Sequence, residues 1–417
     1  MAVSGNSNGR QAVIVAAGRS AIGRARKGSL VDTRPDDLAA EIIAGTLTRV
    51  PQLNPADIDD LYLGAWEHSG EQGENLARRV GVLLGWDGVP GATVNRGCGS
   101  SLQTTRMAAN AICAGDGHVY VSAGVESVSR YAAETATGAG VEAFHNPRFA
   151  EAGQRTAEAS ATATATTWLD PRERGELPDI YISMGQTAEN VADLAGVSRR
   201  DQDEFAALSQ ARAARALRTG AFAAETIAVT LPDGRVFDAD ECPRPGTTPE
   251  ILAGLPPVFR PNGSITAGNS CPLNDGAAAV VMMSDRMASE LDLTPLARIV
   301  SFGACGLSPE IMGLGPVDAS RQALDRAGLS MGDIGLVEIN EAFAAQVLAS
   351  QRELGIDIDR LNVNGGAIAL GHPFGMTGAR ITATLINALQ RHDAHFGLET
   401  MCIGGGQGMA MVVERLS

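Results

Sequence analysis

Apolar strand-like runs alternate with amphipathic helix-like runs over the first 130 residues of this chain. QAVIVAAG at 11–18 and GHVYVSAGVES at 117–127 have the texture of buried strands, and DDLAAEIIAGTLTRV at 36–50 has helical spacing. The same alternation returns from about residue 294 to the end. Such alternation is typical of β-α-β units, so the sequence predicts an α/β fold with mainly parallel sheets.

The middle of the chain has a different texture. Residues 131–180 are poor in large hydrophobic side chains and predict a segment that runs over the surface. The stretch 198–220 predicts a helix that opens with a capping box, Ser198 and Asp201, and closes at Gly220. Dense apolar texture returns in GSITAGNSCPLNDGAAAVVMM at 263–283.

Three pairs of segments repeat one plan at the two ends of the chain. The segment 53–66 parallels 329–343, the segment 91–103 parallels 360–373, and the segment 115–127 parallels 395–408. In each pair the unusual residues follow a predicted strand, and ligands of α/β folds bind beyond the carboxyl ends of strands. The duplication therefore predicts that Cys98, His372 and Cys402 lie at equivalent edges of two related sheets.

Composition narrows the class of protein. The 417 residues are 44% hydrophobic and 19% charged, which is typical of a globular protein of two or three domains. A net charge of −15 argues against nucleic acid as a partner, because phosphate backbones need a basic surface. No apolar run is long enough to span a bilayer, and the first residues lack the features of a secretion signal. We therefore expect a cytoplasmic enzyme.

The charged and sulfur-containing residues limit the chemistry further. Lys27 is the only lysine among the 33 basic residues, so an anionic ligand must be held by arginine, backbone amides or helix N-termini. The six cysteines are scattered, without a C-x-x-C pair or a paired spacing with histidine. This spacing predicts no disulfide framework and no metal site.

Cys98 and His372 are the first candidates for chemistry. Cys98 lies between a strand-like run and a helix-like run, where the helix dipole would lower the pKa of a thiol. The alternative is a small buried residue required by tight packing. His372 lies in NGGAIALGHPFGMTGAR, a glycine-rich bend with Pro373 expected in the first turn of the next helix. It could take a thiol proton, or it could be a histidine held by backbone carbonyls in a packed turn.

Two further segments supply possible partners. Cys402 opens CIGGGQGMAMVV, whose glycines free backbone N–H groups to form an oxyanion hole, and this run lacks the lysine of a nucleotide loop. Asn340 and Glu341 follow the strand-like GLVEI and could hold a water or a ligand carbonyl, or form an ordinary turn. A thiolate, an imidazole and a second thiol together suit thioester exchange.

Seven segments carry a resemblance to the thiolase family, the acetyl-CoA acyltransferases. They are NRGCGSSLQ, GVESVSR, MGQTAENVA, TAGNSCPLNDGAAA, EINEAFAAQ, NVNGGAIALGHPFGMTGAR and CIGGGQGMA, in the family's order. The resemblance implies that Cys98 is the acylated nucleophile, His372 its activator and Cys402 the general acid/base. It also implies one oxyanion hole from His372 with a water held by Asn340, and a second from the amides of Cys98 and Gly404.

The same resemblance implies a fold and a substrate. The fold would be two duplicated α/β halves with mixed, mainly parallel sheets: residues 1–130 completed by 273–293, and residues 294–417. An inserted loop domain would occupy 131–272. Coenzyme A would be a substrate, with no permanently bound cofactor, and the enzyme would be a homodimer or a dimer of dimers. The CoA arm would contact Met184, Arg244, Ala267, Cys271, Ala342 and Phe343.

The resemblance also implies the reaction, which is cleavage of a 3-ketoacyl-CoA by CoA to an acyl-CoA and acetyl-CoA, in either direction. Ser183 stands where biosynthetic members often carry histidine, which favours a degradative role in β-oxidation. The alternatives are a biosynthetic acetoacetyl-CoA thiolase, a ketosynthase-like condensing enzyme, a cysteine hydrolase and a non-catalytic acyl-CoA or lipid carrier. Two departures from the family pattern are Ser101, where glycine is usual, and Cys271, where serine is common.

Overall fold

The computed structural model describes residues 9–130, 145–161 and 167–417. Within them, eleven strands form one sheet and two short strands form a separate hairpin. The strands are β1 (Ala12–Ser20), β2 (Gly23–Arg24), β3 (Asp60–Gly64), β4 (Gly91–Val94), β5 (Val119–Ser127), β6 (Thr226–Ile227), β7 (Val229–Thr230), β8 (Val236–Phe237), β9 (Asn274–Ser284), β10 (Ala297–Gly306), β11 (Leu336–Ile339), β12 (Phe396–Ile403) and β13 (Gln407–Arg415).

Twelve α-helices lie in the described residues. They are α1 (Pro35–Leu47), α2 (Leu76–Leu83), α3 (Ser100–Ala114), α4 (Ala150–Ala161), α5 (Met184–Leu194), α6 (Arg199–Arg218), α7 (Pro249–Ala253), α8 (Asp285–Glu290), α9 (Gly315–Ala327), α10 (Ala344–Leu354), α11 (Ala367–Leu370) and α12 (Thr377–Arg391).

The order of the strands confirms the duplicated plan. The N-terminal strands lie in the order β1-β9-β5-β3-β4, and the C-terminal strands in the order β10-β13-β12-β11. Leu361 forms an isolated β-bridge with Val337 of β11. This bridge corresponds to the pairing of β4 with β3 in the N-terminal half. The strands that precede Cys98 and Cys402 therefore occupy comparable positions in the two halves.

Parallel and antiparallel pairs occupy different parts of this mixed sheet. The pairs β5–β3, β3–β4 and β12–β11 are parallel. The central pairs that run from β5 through β9, β1, β10 and β13 to β12 are antiparallel. β12 and β13 are antiparallel because a tight turn at 404–406 joins them directly. β1 meets β10 at two residue pairs, which joins the two expected sheets into one.

Helices α3 and α12 pack closely against each other in the interior. A Cβ atom on Gly378 would lie 2.3 Å from the backbone nitrogen of Leu102, so only glycine permits this approach. The backbone N–H of Ala379 donates to the Ser101 hydroxyl at 2.9 Å. Ser101, where the family usually has glycine, therefore links the helix that follows Cys98 to the helix that follows His372.

The intervening region follows the expected course where it is described. Ser198 and Asp201 make both bonds of the predicted capping box at the start of α6, and Gly220 has φ +66° just beyond its end. Ala152 is the one buried residue of helix α4 and the others are exposed or half-buried, as expected for a surface segment. Residues 131–144 and 162–166, which belong to the same prediction, lie outside the described residues.

Candidate active site

The predicted reactive residues all follow elements of the two sheet halves. Cys98 lies in the turn between β4 and α3, and Asn340 follows β11 directly. His372 lies in the bend after α11, and Cys402 is the penultimate residue of β12. Cys98, Asn340 and Cys402 therefore stand at the carboxyl ends of strands as expected, whereas His372 follows the short helix α11.

Cys98 is a half-buried thiol whose pKa is raised, which contradicts the expected effect of the helix dipole. Burial raises the pKa of Cys98 to about 11, and the negative charge of Glu126 acts in the same direction. Backbone N–H groups of Gly404 and of Cys98 itself favour the thiolate. The prediction of a lowered pKa was wrong because α3 starts only at Ser100 and desolvation outweighs the dipole. The thiol is neutral at pH 7 and needs a base to react.

Glu126 lies beneath the reactive bends, and the sequence pattern gave no sign of its role. Its carboxylate accepts hydrogen bonds from the backbone N–H groups of Trp66 at 2.9 Å and Gly375 at 2.8 Å, and from the Gln72 amide at 2.7 Å. Burial raises the pKa of Glu126 to about 7. One carboxyl group therefore holds a loop of the N-terminal half to the bend that carries His372.

The turn after Cys402 brings an amide to the nucleophile. Gly405 and Gly406 have φ +83° and +81°, a backbone conformation that other residues rarely adopt. This turn directs the backbone N–H of Gly404 at the Cys98 sulfur. The two amides predicted to form an oxyanion hole, those of Cys98 and Gly404, therefore both interact with the Cys98 sulfur.

His372 is fully buried, and its hydrogen bonds determine its tautomer. The Thr377 hydroxyl donates its proton to the carbonyl oxygen of Pro373 at 2.7 Å. The Thr377 hydroxyl oxygen also lies 2.7 Å from Nδ1 of His372. Because its own proton is already donated, this oxygen accepts a hydrogen bond from a proton that Nδ1 carries. Nε2 is then unprotonated, and the Asn340 amide nitrogen donates to it at 3.2 Å. The imidazole presents a basic lone pair on Nε2.

The environment also keeps this imidazole uncharged. Burial lowers the pKa of His372 to about 3, and the positive charge of Arg380 acts in the same direction.

Pro373 was expected in the first turn of the next helix, but that helix begins later. Backbone N–H groups of the bend donate to side chains of other elements instead. His372 N–H donates to Asn274 Oδ1 at 3.0 Å, and α12 begins only at Thr377.

Asn340 and Glu341, a pair in sequence, have separate surroundings. Asn340 is 1% exposed, and its Oδ1 atom has no hydrogen-bond partner among the described residues. An unpaired buried oxygen beside His372 can accept a hydrogen bond from a water or substrate. Glu341 cannot bind a ligand in this way, because its carboxylate accepts from Ser209 at 2.7 Å and Asn362 at 2.8 Å. It holds α6 to the C-terminal half.

Cys402 is a second thiol close to the first. It is 1% exposed, and burial raises its pKa well above the ordinary value. The charges of Cys98 and Cys271 raise it further, so the three thiols lie close enough to interact electrostatically. A neutral thiol of this kind can donate a proton to a developing carbanion.

Several predicted CoA contacts surround Cys402. Met184, Ala342 and Phe343 belong to the same apolar cluster as this thiol. The loop that contains Ala267 and Cys271 lies beside them, since the Cys271 N–H donates to the Ala342 carbonyl at 3.0 Å. Arg244 lies elsewhere, on an exposed loop, where its backbone N–H donates to Gln210 and its side chain forms no ion pair with a described residue.

The family profiles cover nearly the whole chain. The profile described as thiolase, N-terminal domain, matches residues 12–286, and thiolase, C-terminal domain, matches residues 293–415. The chain belongs to the thiolase family. Thiolases perform acyl transfer with CoA and acetyl-CoA thioesters, which agrees with the proximity of the Cys98 and Cys402 thiols.

Curated thiolases resemble this chain over their full length. The 3-oxoadipyl-CoA/3-oxo-5,6-dehydrosuberyl-CoA thiolase of Escherichia coli K12 is 45% identical, covering 98% of this chain and 100% of its own. The 3-ketoacyl-CoA thiolase of Bacillus subtilis is 44% identical, covering 97% and 99%. The acetyl-CoA acetyltransferase of Allochromatium vinosum is 42% identical, covering 97% and 99%.

Solved thiolase structures share the fold. Human mitochondrial 3-ketoacyl-CoA thiolase has a TM-score of 0.83 at 36% identity, covering 98% of this chain and 99% of its own. The dimeric peroxisomal thiolase of Saccharomyces cerevisiae has a TM-score of 0.85 at 35% identity, covering 97% of each chain. Among the described residues of this thiolase, no helix has the length and apolarity needed to cross a bilayer, and no group of three or more possible metal ligands converges.

Proposed function

We propose that this thiolase cleaves 3-ketoacyl-CoA with CoA, through an acyl group carried on Cys98. His372 Nε2 removes the Cys98 proton as the sulfur attacks the ketone carbon of the substrate. The bond breaks between the ketone carbon and the carbon next to the thioester carbonyl. The acetyl-CoA enolate released in this way takes a proton from Cys402. The acyl group remains on Cys98 as a thioester.

The second half of the reaction returns the enzyme to its starting state. The Cys402 thiolate removes the proton of an incoming CoA thiol, and the CoA sulfur attacks the acyl group. The Cys98 sulfur leaves and recovers its proton from His372. Every step is reversible, so the same residues can condense two acetyl-CoA molecules.

The observation that carries this proposal is the electrostatic proximity of the Cys98 and Cys402 thiols, and the neutral imidazole of fixed tautomer at His372 supports it. The pKa of Cys98 is about 11 and that of His372 about 3, so proton transfer between them alone is strongly unfavourable. We infer that the transfer is coupled to attack on the carbonyl, whose developing oxyanion needs hydrogen-bond donors. The amides of Cys98 and Gly404 supply one set, and His372 with a water on Asn340 supplies the other.

We also propose that CoA lies along the apolar cluster around Cys402. Met184, Ala267, Cys271, Ala342 and Phe343 would contact its pantetheine arm. Arg244 would contact a phosphate, which its exposure and its lack of an ion pair among described residues support.

The proposed domain division and assembly follow from membership of the thiolase family. Residues 1–130 with 273–293 would form one half, 294–417 the other, and 131–272 the loop domain; the position of β9 between β1 and β5 supports this. We propose a homodimer or a dimer of dimers. The half-exposed edge strand β4 supports it, since its free backbone groups can pair with a second copy. The cytoplasmic location remains a prediction from the sequence.

We propose a degradative role, as in β-oxidation, with biosynthetic acetoacetyl-CoA synthesis as the second candidate. The names of the Escherichia coli and Bacillus subtilis relatives support the first, and the acetyltransferase relative supports the second. Thiolytic cleavage should be measured across 3-ketoacyl-CoA substrates of increasing chain length, with 3-oxoadipyl-CoA included. Higher kcat/KM for substrates longer than acetoacetyl-CoA is the expected result. Cleavage of acetoacetyl-CoA alone would contradict the degradative role, and no thiolysis at all would contradict the function.

A further inference from the structure

Three arginines, Arg96, Arg106 and Arg326, lie close together and form what we call the arginine cluster. None of them forms an ion pair with a residue in the described part of the chain. Arg96 donates to the Gln407 side chain at 3.4 Å, and Arg326 donates to the carbonyl oxygen of Phe302. The side chain of Arg106 makes no hydrogen bond or ion pair within the described ranges. The cluster therefore carries positive charge without a carboxylate partner.

The positive charges of this cluster repel one another. The pKa of Arg106 is lowered by burial and by the neighbouring charges of Arg96 and Arg326. Removing water from like charges is unfavourable unless an opposite charge joins them. Such an arrangement is unusual in a chain whose net charge is −15.

A cavity of about 340 Å³ opens beside the cluster. One wall is a face of α3 formed by Arg106, Ala109, Asn110 and Cys113, at helical spacings of three, four and seven residues. The other wall is the stretch 299–302 of β10, and Arg326 lies at the rim.

The sheet itself explains why the cavity exists. β1 pairs with β10 only at Ala297 and Arg298, and β1 begins beside them, at Ala12. From Ile299 onward, β10 has no strand on that side. The gap is large enough for a small molecule, and its lining combines apolar side chains with guanidinium groups.

We propose that this cavity binds a small oxyanion, namely the phosphate or carboxylate group of a metabolite with a small apolar body. Arg106 and Arg326 would hold the anion, because a guanidinium group matches both phosphate and carboxylate oxygens in two parallel hydrogen bonds. Asn110 would add an amide donor, and Ala109, Ile299 and Phe302 would contact the apolar part. Neither Cys98 nor Cys402 lines this cavity, and the proposal does not depend on the proposed thiolase reaction.

Thermal unfolding of the full-length enzyme tests this site with inorganic phosphate and with acetate as separate probes, at constant ionic strength set by chloride. A ligand that binds only the folded protein raises Tm in a saturable way. We expect such a rise with at least one probe in the wild type, and the probe that gives it identifies the class of anion. Arg106→Gln should weaken the apparent affinity at least tenfold.

Two variants serve as controls. Arg321→Gln changes an exposed arginine on α9 that already pairs with Glu353, and it should bind the probe as the wild type does. Arg244→Ala should also keep the response, which separates this site from the proposed CoA phosphate contact. Arg106→Gln should fold with a Tm at least as high as that of the wild type in the absence of the probe and keep wild-type thiolysis, since Arg106 loses no partner and the repulsion among the arginines is relieved.

Three results would overturn the proposal. The first is a Tm that does not saturate with either probe, and the second is an equal response in Arg106→Gln. The third is loss of self-association in Arg106→Gln with no probe binding by the wild type, seen by sedimentation. That third result would mean that a carboxylate of a second copy occupies the cavity.

Discussion

Thr377→Val tests whether the hydrogen bond to Nδ1 fixes His372 as a base. Valine keeps the shape of threonine but removes the hydroxyl that accepts from Nδ1 and donates to the Pro373 carbonyl, both at 2.7 Å. Two buried polar groups lose their partner, which costs about 2 to 4 kcal/mol of stability in total. The protein should still fold, because thiolases of this size have many other buried contacts.

The effect on catalysis follows from the tautomer. The bond to Thr377 favours the form with a free Nε2 by about 1 to 2 kcal/mol, a factor of roughly 5 to 30 in population. That factor applies to the ratio of the two tautomers, so it is the upper limit on the fall in the rate of acylation by acetyl-CoA in Thr377→Val. Stopped-flow or quenched-flow acylation, measured well below the Tm of the variant, gives this rate directly.

A matched control lies one turn and a half along the same helix. The Thr382 hydroxyl is equally buried and donates to Glu399 at 2.7 Å, away from His372. Thr382→Val should lose comparable stability but acylate within about twofold of the wild type. Thr377→Ser keeps the hydroxyl and should restore most of the rate. Wild-type acylation by Thr377→Val, or equal slowing by Thr382→Val, would refute the assigned tautomer.

Four other variants or conditions separate the remaining roles. Cys98→Ser should fold and retain almost no turnover in a thiolysis assay, because a hydroxyl is a much weaker nucleophile than a thiolate; substantial turnover would exclude Cys98 as the nucleophile. Cys402→Ala should acquire the acyl group normally but fail to complete thiolysis, and equal loss of both steps would contradict its separate role. Because burial raises the Cys98 pKa to about 11, its alkylation by iodoacetamide in the free enzyme should keep rising above pH 9, whereas a plateau below pH 8 would contradict a raised pKa. Arg244→Ala should raise KM for CoA more than it lowers kcat, and it should match the wild type with dephospho-CoA if the arginine binds the 3′-phosphate, which dephospho-CoA lacks.

The sequence predicted elements whose causes are local. The capping box of α6 requires only Ser198 and Asp201 at the right spacing, and both of its bonds are present. The repeated segments likewise predicted two related halves, because each repeat carries its own strand and turn pattern, and the strand orders of the two halves correspond. The convergence of Cys98 and Cys402 follows from that duplication.

Features that depend on long-range contacts were not visible in the sequence. The pKa of Cys98 rises because residues far along the chain exclude water from it, which outweighs a dipole that local pattern could indicate. Thr377 and Glu126 lie in unremarkable positions of their segments, and their roles appear only when the bend around His372 is folded. The late start of α12 has the same origin, since Asn274 and Glu126 take up amides of that bend.

Mapping the acyl group on the enzyme tests the central claim most directly. The wild type is mixed with acetyl-CoA, quenched in acid, digested and analysed by mass spectrometry for peptides heavier by one acetyl group. The two-thiol mechanism predicts an adduct on Cys98 that disappears when CoA is added before the quench. An adduct on Cys271 or Cys402 instead, or no adduct on any cysteine, would contradict the assignment of Cys98 as the acyl carrier.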